Sequence, residues 1–167
     1  DYVGRPAFDR MSEPPPMRVD HVGIAVESIA EAEPVLFALG CERVHAEENA
    51  YGEFTWATYA LGDASRIELI APHDGSESFL TAYLDDHGPG LHHVTIEVAD
   101  LDEATAALES AGVRVVDRTD LDDYSEAFLS PRNPTGALFQ LMEYHEKYAA
   151  TRESTAGLFV GNEPLGT

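Results

Sequence analysis

A chain of 167 residues, 44% of them hydrophobic, has the length of one ordinary globular domain and can bury a core without disulfide or metal staples. Thirty-one acidic side chains against ten basic ones give a formal net charge of -21, which argues against nucleic acid as a partner. With Lys147 the only lysine, that charge reads as a halophilic adaptation. The single Cys41 excludes an intrachain disulfide, and the sequence has neither a membrane-length apolar run nor a charged-then-apolar leader, so the expectation is a soluble, cytoplasmic protein with no membrane partner.

Residues 1–16, with Pro14-Pro15-Pro16 ahead of Met17, carry no periodic apolar pattern and read as an N-terminal tail, with Met17 a candidate natural start. Arg18 to Val26 nearly alternates apolar and polar side chains, which predicts a strand. Ser28 and Glu31 have the spacing of a capping box, so a helix is expected from about Ile29 toward Leu39, stopping at Gly40. Pro34 requires either a late start or a kink in it. Cys41 to Glu48, Glu53 to Leu61 and Arg66 to Ala71, separated by turn residues, predict three antiparallel strands. Ser76 to His87 places Phe79, Leu80, Tyr83 and Leu84 on one helical face before Gly88-Pro89-Gly90, the pattern of a connecting helix with a firm stop.

The order then recurs. A strand from Leu91 to Val98 is followed by a box-like cap at Asp100 and Glu103, a helix from Leu101 to Ser110, Gly112, and strands at Val113 to Arg118, Ser125 to Ser130 and Gly136 to Glu143. His21 and His93 lie 72 positions apart, and the same offset pairs Val26 with Val98, Ala32 with Ala104, Gly40 with Gly112 and Glu68 with Gln140. An unslipped repeat of that length predicts two copies of one βαβββ unit, an α+β fold. The expected organisation is module one at 17–74, a linker helix at 75–88, module two at 89–144, and a C-terminal tail at 145–167 in which Leu158-Phe159-Val160 can dock locally or on a partner chain.

Alternation puts His21 on one strand face with the small Gly23 and Ala25, which leaves room around its imidazole. Glu68 lies between Ile67 and Leu69, and Gln140 between Phe139 and Leu141, so each points away from its apolar neighbours. Two imidazoles, a carboxylate and a carboxamide at matched places of a repeat form a donor set suited to a divalent zinc, nickel, cobalt, manganese or iron ion. The bland alternative is that each is a hydrogen-bonded or solvated strand residue. His92 competes with His93, and the repeat register selects His93.

The stretches Asp20-His21-Val22-Gly23-Ile24-Ala25-Val26, Glu68-Leu69-Ile70-Ala71-Pro72, Phe79-Leu80 through Gly90-Leu91-His92-His93-Val94, and Gly136-Ala137-Leu138-Phe139-Gln140-Leu141 resemble the vicinal oxygen chelate superfamily. Within it they are most similar to methylmalonyl-CoA epimerase and glyoxalase I. The resemblance covers residues 17 to about 144. It implies a cupped mixed β-sheet with helices outside, closed around a divalent metal held by His21, Glu68, His93 and Gln140. It also implies proton transfer next to the carbonyl of a small acyl thioester or 2-oxo compound, with a small molecule as partner and a homodimer open.

Two departures bear on that activity. Where the last strand of the resembled enzymes offers a Glu that doubles as base, this chain has Gln140, and an amide cannot serve as that base. Some members also have a Glu in the third strand of module one, at a place aligning with Thr55; Glu53, two residues away, is the nearest substitute. Glu68 and Glu53 are therefore the candidate catalytic carboxylates. Two other classes stay open: an iron-dependent dioxygenase, from the two-His-one-carboxylate composition, and a non-catalytic binding protein of the bleomycin-resistance type, from the loss of the usual base.

Overall fold

The computed structural model describes residues 17–49, 52–62 and 65–145, and the backbone of 159–160 and 163–164. The expected N-terminal tail and the side chains of Leu158-Phe159-Val160 lie outside the described residues. Module one comprises β1 (Met17–Ala25), α1 (Ile29–Ala38), β2 (Glu42–Glu48), β3 (Phe54–Leu61) and β4 (Ser65–Pro72). After α2 (Phe79–His87), module two comprises β5 (Gly90–Val98), α3 (Leu101–Ser110), β6 (Val115–Asp120), β7 (Tyr124–Leu129) and β8 (Leu138–Tyr144). β9 (Phe159–Val160) and β10 (Glu163–Pro164) pair with each other as a separate ribbon.

Strands β1 to β8 form one mixed sheet in the order β2-β3-β4-β1-β5-β8-β7-β6. The sequence repeat is a repeat of pairing. In the parallel pair β1 and β4, Gly23 faces Glu68; in the parallel pair β5 and β8, Thr95 faces Gln140, and both members are displaced by the same 72 positions. The halves join through antiparallel β1 and β5, centred on Val22 opposite Val94, with His21 opposite Thr95 and Gly23 opposite His93. A pseudo-twofold axis therefore passes through this seam and brings the two histidines toward each other.

Alternation sorts the core to one face of the sheet. In module one Leu36 of α1 packs with Val26, Cys41, Ala57, Tyr59 and Leu69; in module two Leu101 and Ala104 of α3 pack with Val98, Ala127, Leu129 and Leu141. Each fully buried leucine of this set stabilises the fold by roughly 1.5–3 kcal/mol. The linker helix packs on the opposite face. Its Leu80 and Leu84 cover Ala25 and Ile70 beside Phe54 and Trp56, because its apolar stripe matches the apolar end of that face. Among the described residues no helix packs on the rest of that face, where His21, Glu68 and their counterparts point.

The helix ends differ from expectation at one place. Asp100 caps α3 by accepting the Glu103 N–H at 2.8 Å, but Ser28, although extended, makes no side-chain cap bond to α1. Helix α1 nevertheless starts at Ile29 as expected and contains Pro34 within it, so of the two alternatives for Pro34 the late start does not occur. Both outer helices end at a glycine with positive φ, Gly40 at 87° and Gly112 at 81°, a left-handed conformation open to glycine at little cost.

Candidate metal centre

Two β-bulges build the site. Between Val19 paired with Ile96 and His21 paired with Thr95, β1 carries one extra residue, Asp20; between His93 paired with Gly23 and Leu91 paired with Ile24, β5 carries the extra His92. These bulges are equivalent in the repeat. Regular alternation would turn adjacent side chains to opposite faces, whereas a bulge re-aims them. Asp20 thus reaches the Nδ1 of its own neighbour His21 at 2.7 Å, and His92 Nδ1 reaches His93 Nδ1 at 3.0 Å.

The consequence is chemical. The buried Asp20 carboxylate accepts from Tyr144 Oη at 3.0 Å and lies 3.6 Å from Arg66 Nη1. It also lies against His21 Nδ1, so Nε2 is the ring nitrogen that faces the centre, and a carboxylate behind the far nitrogen is the arrangement found at metal-ligating histidines. His21 Nε2 and His93 Nε2 are 3.3 Å apart, and the Glu68 carboxylate oxygens lie 3.6 Å from each. Thr95, fully buried, donates its hydroxyl proton to Gln140 Oε1 at 2.6 Å while its oxygen sits 2.8 Å from His21 Nε2. Gln140 Nε2 in turn donates to Glu126 Oε2 at 2.6 Å.

Burial dominates the electrostatics. It pushes His93 down to about 3, aided by the neighbouring His21 and His92, so this imidazole is neutral at ordinary pH. It raises Glu68 above the usual carboxylate range against the pull of His21, with Asp20 and Glu126 adding to the rise, and it raises Glu126 despite the bond from Gln140. Desolvated lone pairs gathered at one point are what a cation relieves.

The spacing fits one. Two donors at about 2.1 Å from a first-row ion lie about 3.0 Å apart at right angles and about 3.4 Å apart in a tetrahedron; the three separations here are 3.3, 3.6 and 3.6 Å. His21, Glu68 and His93 are a group that could hold a metal ion, and Gln140 adjoins it through Thr95.

Glu53 stands outside this cluster. In β3 Thr58 pairs with Glu68, so even-numbered residues share its face, while Ala57 and Tyr59 pack toward α1. Glu53 precedes the strand, exposed, with the odd parity, and its backbone carbonyl accepts from Ser76. Sequence reasoning had no place for Asp20, Thr95 or Glu126. The first needed the bulge; the second was signalled by a polar residue standing where the repeat has Gly23.

A model of the glyoxalase/bleomycin resistance protein/dioxygenase superfamily matches residues 20–128. The chain belongs to that superfamily. Its relatives include the uncharacterized protein YqjC of Bacillus subtilis strain 168, 33% identical over 130 residues, a match covering 75% of this chain and 91% of that protein. Among solved structures, the methylmalonyl-CoA epimerase of Mycobacterium tuberculosis is 34% identical with a TM-score of 0.69, over 80% of this chain and 91% of that one. A variant of the Streptomyces coelicolor methylmalonyl-CoA epimerase in complex with 2-nitronate-propionyl-CoA is 28% identical with a TM-score of 0.66, over 76% and 96%. These likenesses carry the superfamily's mixed eight-stranded α+β architecture, which is the fold described above. Among the described residues no helix is long and apolar enough to cross a membrane.

Proposed function

We propose that this superfamily member is a metal-dependent enzyme that transfers a proton next to the carbonyl of a small acyl thioester or 2-oxo compound, as an epimerase or glyoxalase-like lyase. The observation that carries the reading is the convergence of His21, Glu68 and His93, with the Asp20 carboxylate hydrogen-bonded behind His21 at Nδ1. Likeness to epimerases, one of them in complex with a propionyl-CoA nitronate, supports a thioester as substrate.

In this reading His21, His93, Glu68 and Gln140 hold a divalent ion, which when bound supplies Lewis-acid polarisation of substrate oxygens. Glu68 is the candidate to take and return the proton, as the one carboxylate among the three converging donors. The apolar side chains of Phe54 and Trp56, packed beside Leu80 and Leu84 of α2, limit water at the adjoining end of that face. Glu53, outside the cup, has no part in it.

The test is exchange of the substrate α-hydrogen in heavy water by metal-loaded protein. Exchange is expected with methylmalonyl-CoA or with methylglyoxal hemithioacetal; none with either sinks both forms of the proposal. A second reading, iron-dependent oxygen chemistry, has the two-His-one-carboxylate composition in its favour. Oxygen uptake by the iron-loaded protein with a catechol or 2-oxo acid would select it.

A further inference from the structure

We propose that Glu126 is the positioning residue of the fourth donor, holding the Gln140 carboxamide with its oxygen toward the histidines and its nitrogen away. This rests on the reading of Gln140 as a metal ligand.

A carboxylate offers a metal the same atom whichever way it turns, but a carboxamide has a donor oxygen on one side and a non-coordinating NH2 on the other. Gln140 therefore needs something to decide its orientation, and Glu68 does not. Thr95 cannot decide it, since a hydroxyl donates or accepts as required. Glu126 can. Its carboxylate takes the Gln140 Nε2 proton at 2.6 Å, leaving Oε1 to accept from Thr95 at 2.6 Å, beside His21 Nε2.

The two halves of the sheet differ in the corresponding way. Glu126 lies on β7 two residues before Phe128, the cross-strand partner of Gln140; the same step before Thr58, the partner of Glu68, reaches Trp56. The amide is backed by an acid, whereas the corresponding place in the other half holds an apolar ring packed beside Ile70 and Leu80. A carboxylate at position 140 would instead face Glu126 across a hydrogen-bond distance, two like charges in a half-buried site. The amide at 140 and the acid at 126 thus form a matched pair.

Cobalt(II) affinity, measured by calorimetry on the full chain, tests this. Glu126→Gln removes the acceptor-only partner and lets the amide turn, so affinity is expected to fall about 10- to 100-fold. Combining Glu126→Gln with Gln140→Glu restores an oxygen donor and a complementary pair, and is expected to return affinity to within a few-fold of the parent. A general structural role would not give this rescue. Wild-type affinity for Glu126→Gln beside a weakened Gln140→Ala overturns the proposal alone. Wild-type affinity for Gln140→Ala overturns the fourth-ligand reading and this proposal with it. If Glu126→Gln fails to fold, the Gln140 side-chain amide in the proton–nitrogen spectrum of the parent decides: a downfield, slowly exchanging proton is expected, and a solvent-like signal overturns the proposal.

Discussion

Gly23 lies across the central strand pair from His93, so close that a β-carbon added to it would come to 2.0 Å from the imidazole Cε1. The ring of one candidate ligand rests on the bare backbone of the strand that supplies the other. Gly23→Ala must therefore displace His93, and metal affinity should drop at least about tenfold, with an overpacking cost to the metal-free fold of about 1–3 kcal/mol. Calorimetric titration and thermal unfolding measure both; unchanged affinity would refute the assignment of His93.

Asp20→Asn replaces an acceptor with a group that can offer His21 Nδ1 an N–H, which favours the tautomer whose Nε2 carries the proton. Metal affinity should fall about 10- to 100-fold. Nitrogen chemical shifts of His21 in the metal-free protein report the tautomer directly, and an unchanged pattern would count against the role given to Asp20.

Glu68 and His93 give the metal-free protein opposite pH dependences. A carboxyl whose folded pKa lies above its ordinary value of 4.5 contributes stability that is present below that value and lost as pH rises through the folded pKa. Glu68→Gln should therefore be more stable than the parent at neutral pH without metal, while binding metal poorly. Denaturant midpoints measured from pH 4.5 upward test the sign.

His93 works the other way. The unfolded chain takes up its proton near 6.5, the folded one only near 3, so the contribution is intact above about 6.5 and is lost as pH falls toward 3. His93→Gln should lose less stability than the parent over that acidic interval. An equal loss in both proteins would show that this imidazole is not held neutral by the fold.

A net charge of -21 repels itself in the compact state, and salt screens it over about 8 Å at physiological ionic strength and about 3 Å at 1 M. The melting temperature should rise by several degrees between about 0.1 and 1 M potassium chloride. A flat response would remove the halophilic reading.

The repeat made much of this readable in the sequence. A 72-residue offset without slip named His21, His93, Glu68 and Gln140, and the pairing of Gly23 with Glu68 and Thr95 with Gln140 is that offset in three dimensions. Local alternation could not reach Asp20, because an extra residue is visible only against its partner strand, and strict parity turns Asp20 away from the face of His21. Glu53 failed for a related reason, since the parity of β3 is fixed by Thr58 facing Glu68 and not by the strand alone. Glu126 sits in an ordinary alternating strand, Ser125-Glu126-Ala127-Phe128, where nothing separates an acid facing a cup from one facing water.

The seam between β1 and β5 has a further consequence for how such a centre arises. A strand that pairs antiparallel with its own copy about Val22 and Val94 delivers whatever stands at one position to the same spot twice. One histidine codon in an undivided ancestral half, duplicated, is thus enough to furnish two imidazoles 3.3 Å apart. Divergence then needs only to touch the flanking positions, as Gly23 against Thr95 and Glu68 against Gln140 record, to turn a symmetric pair of ligands into a site with two distinguishable sides.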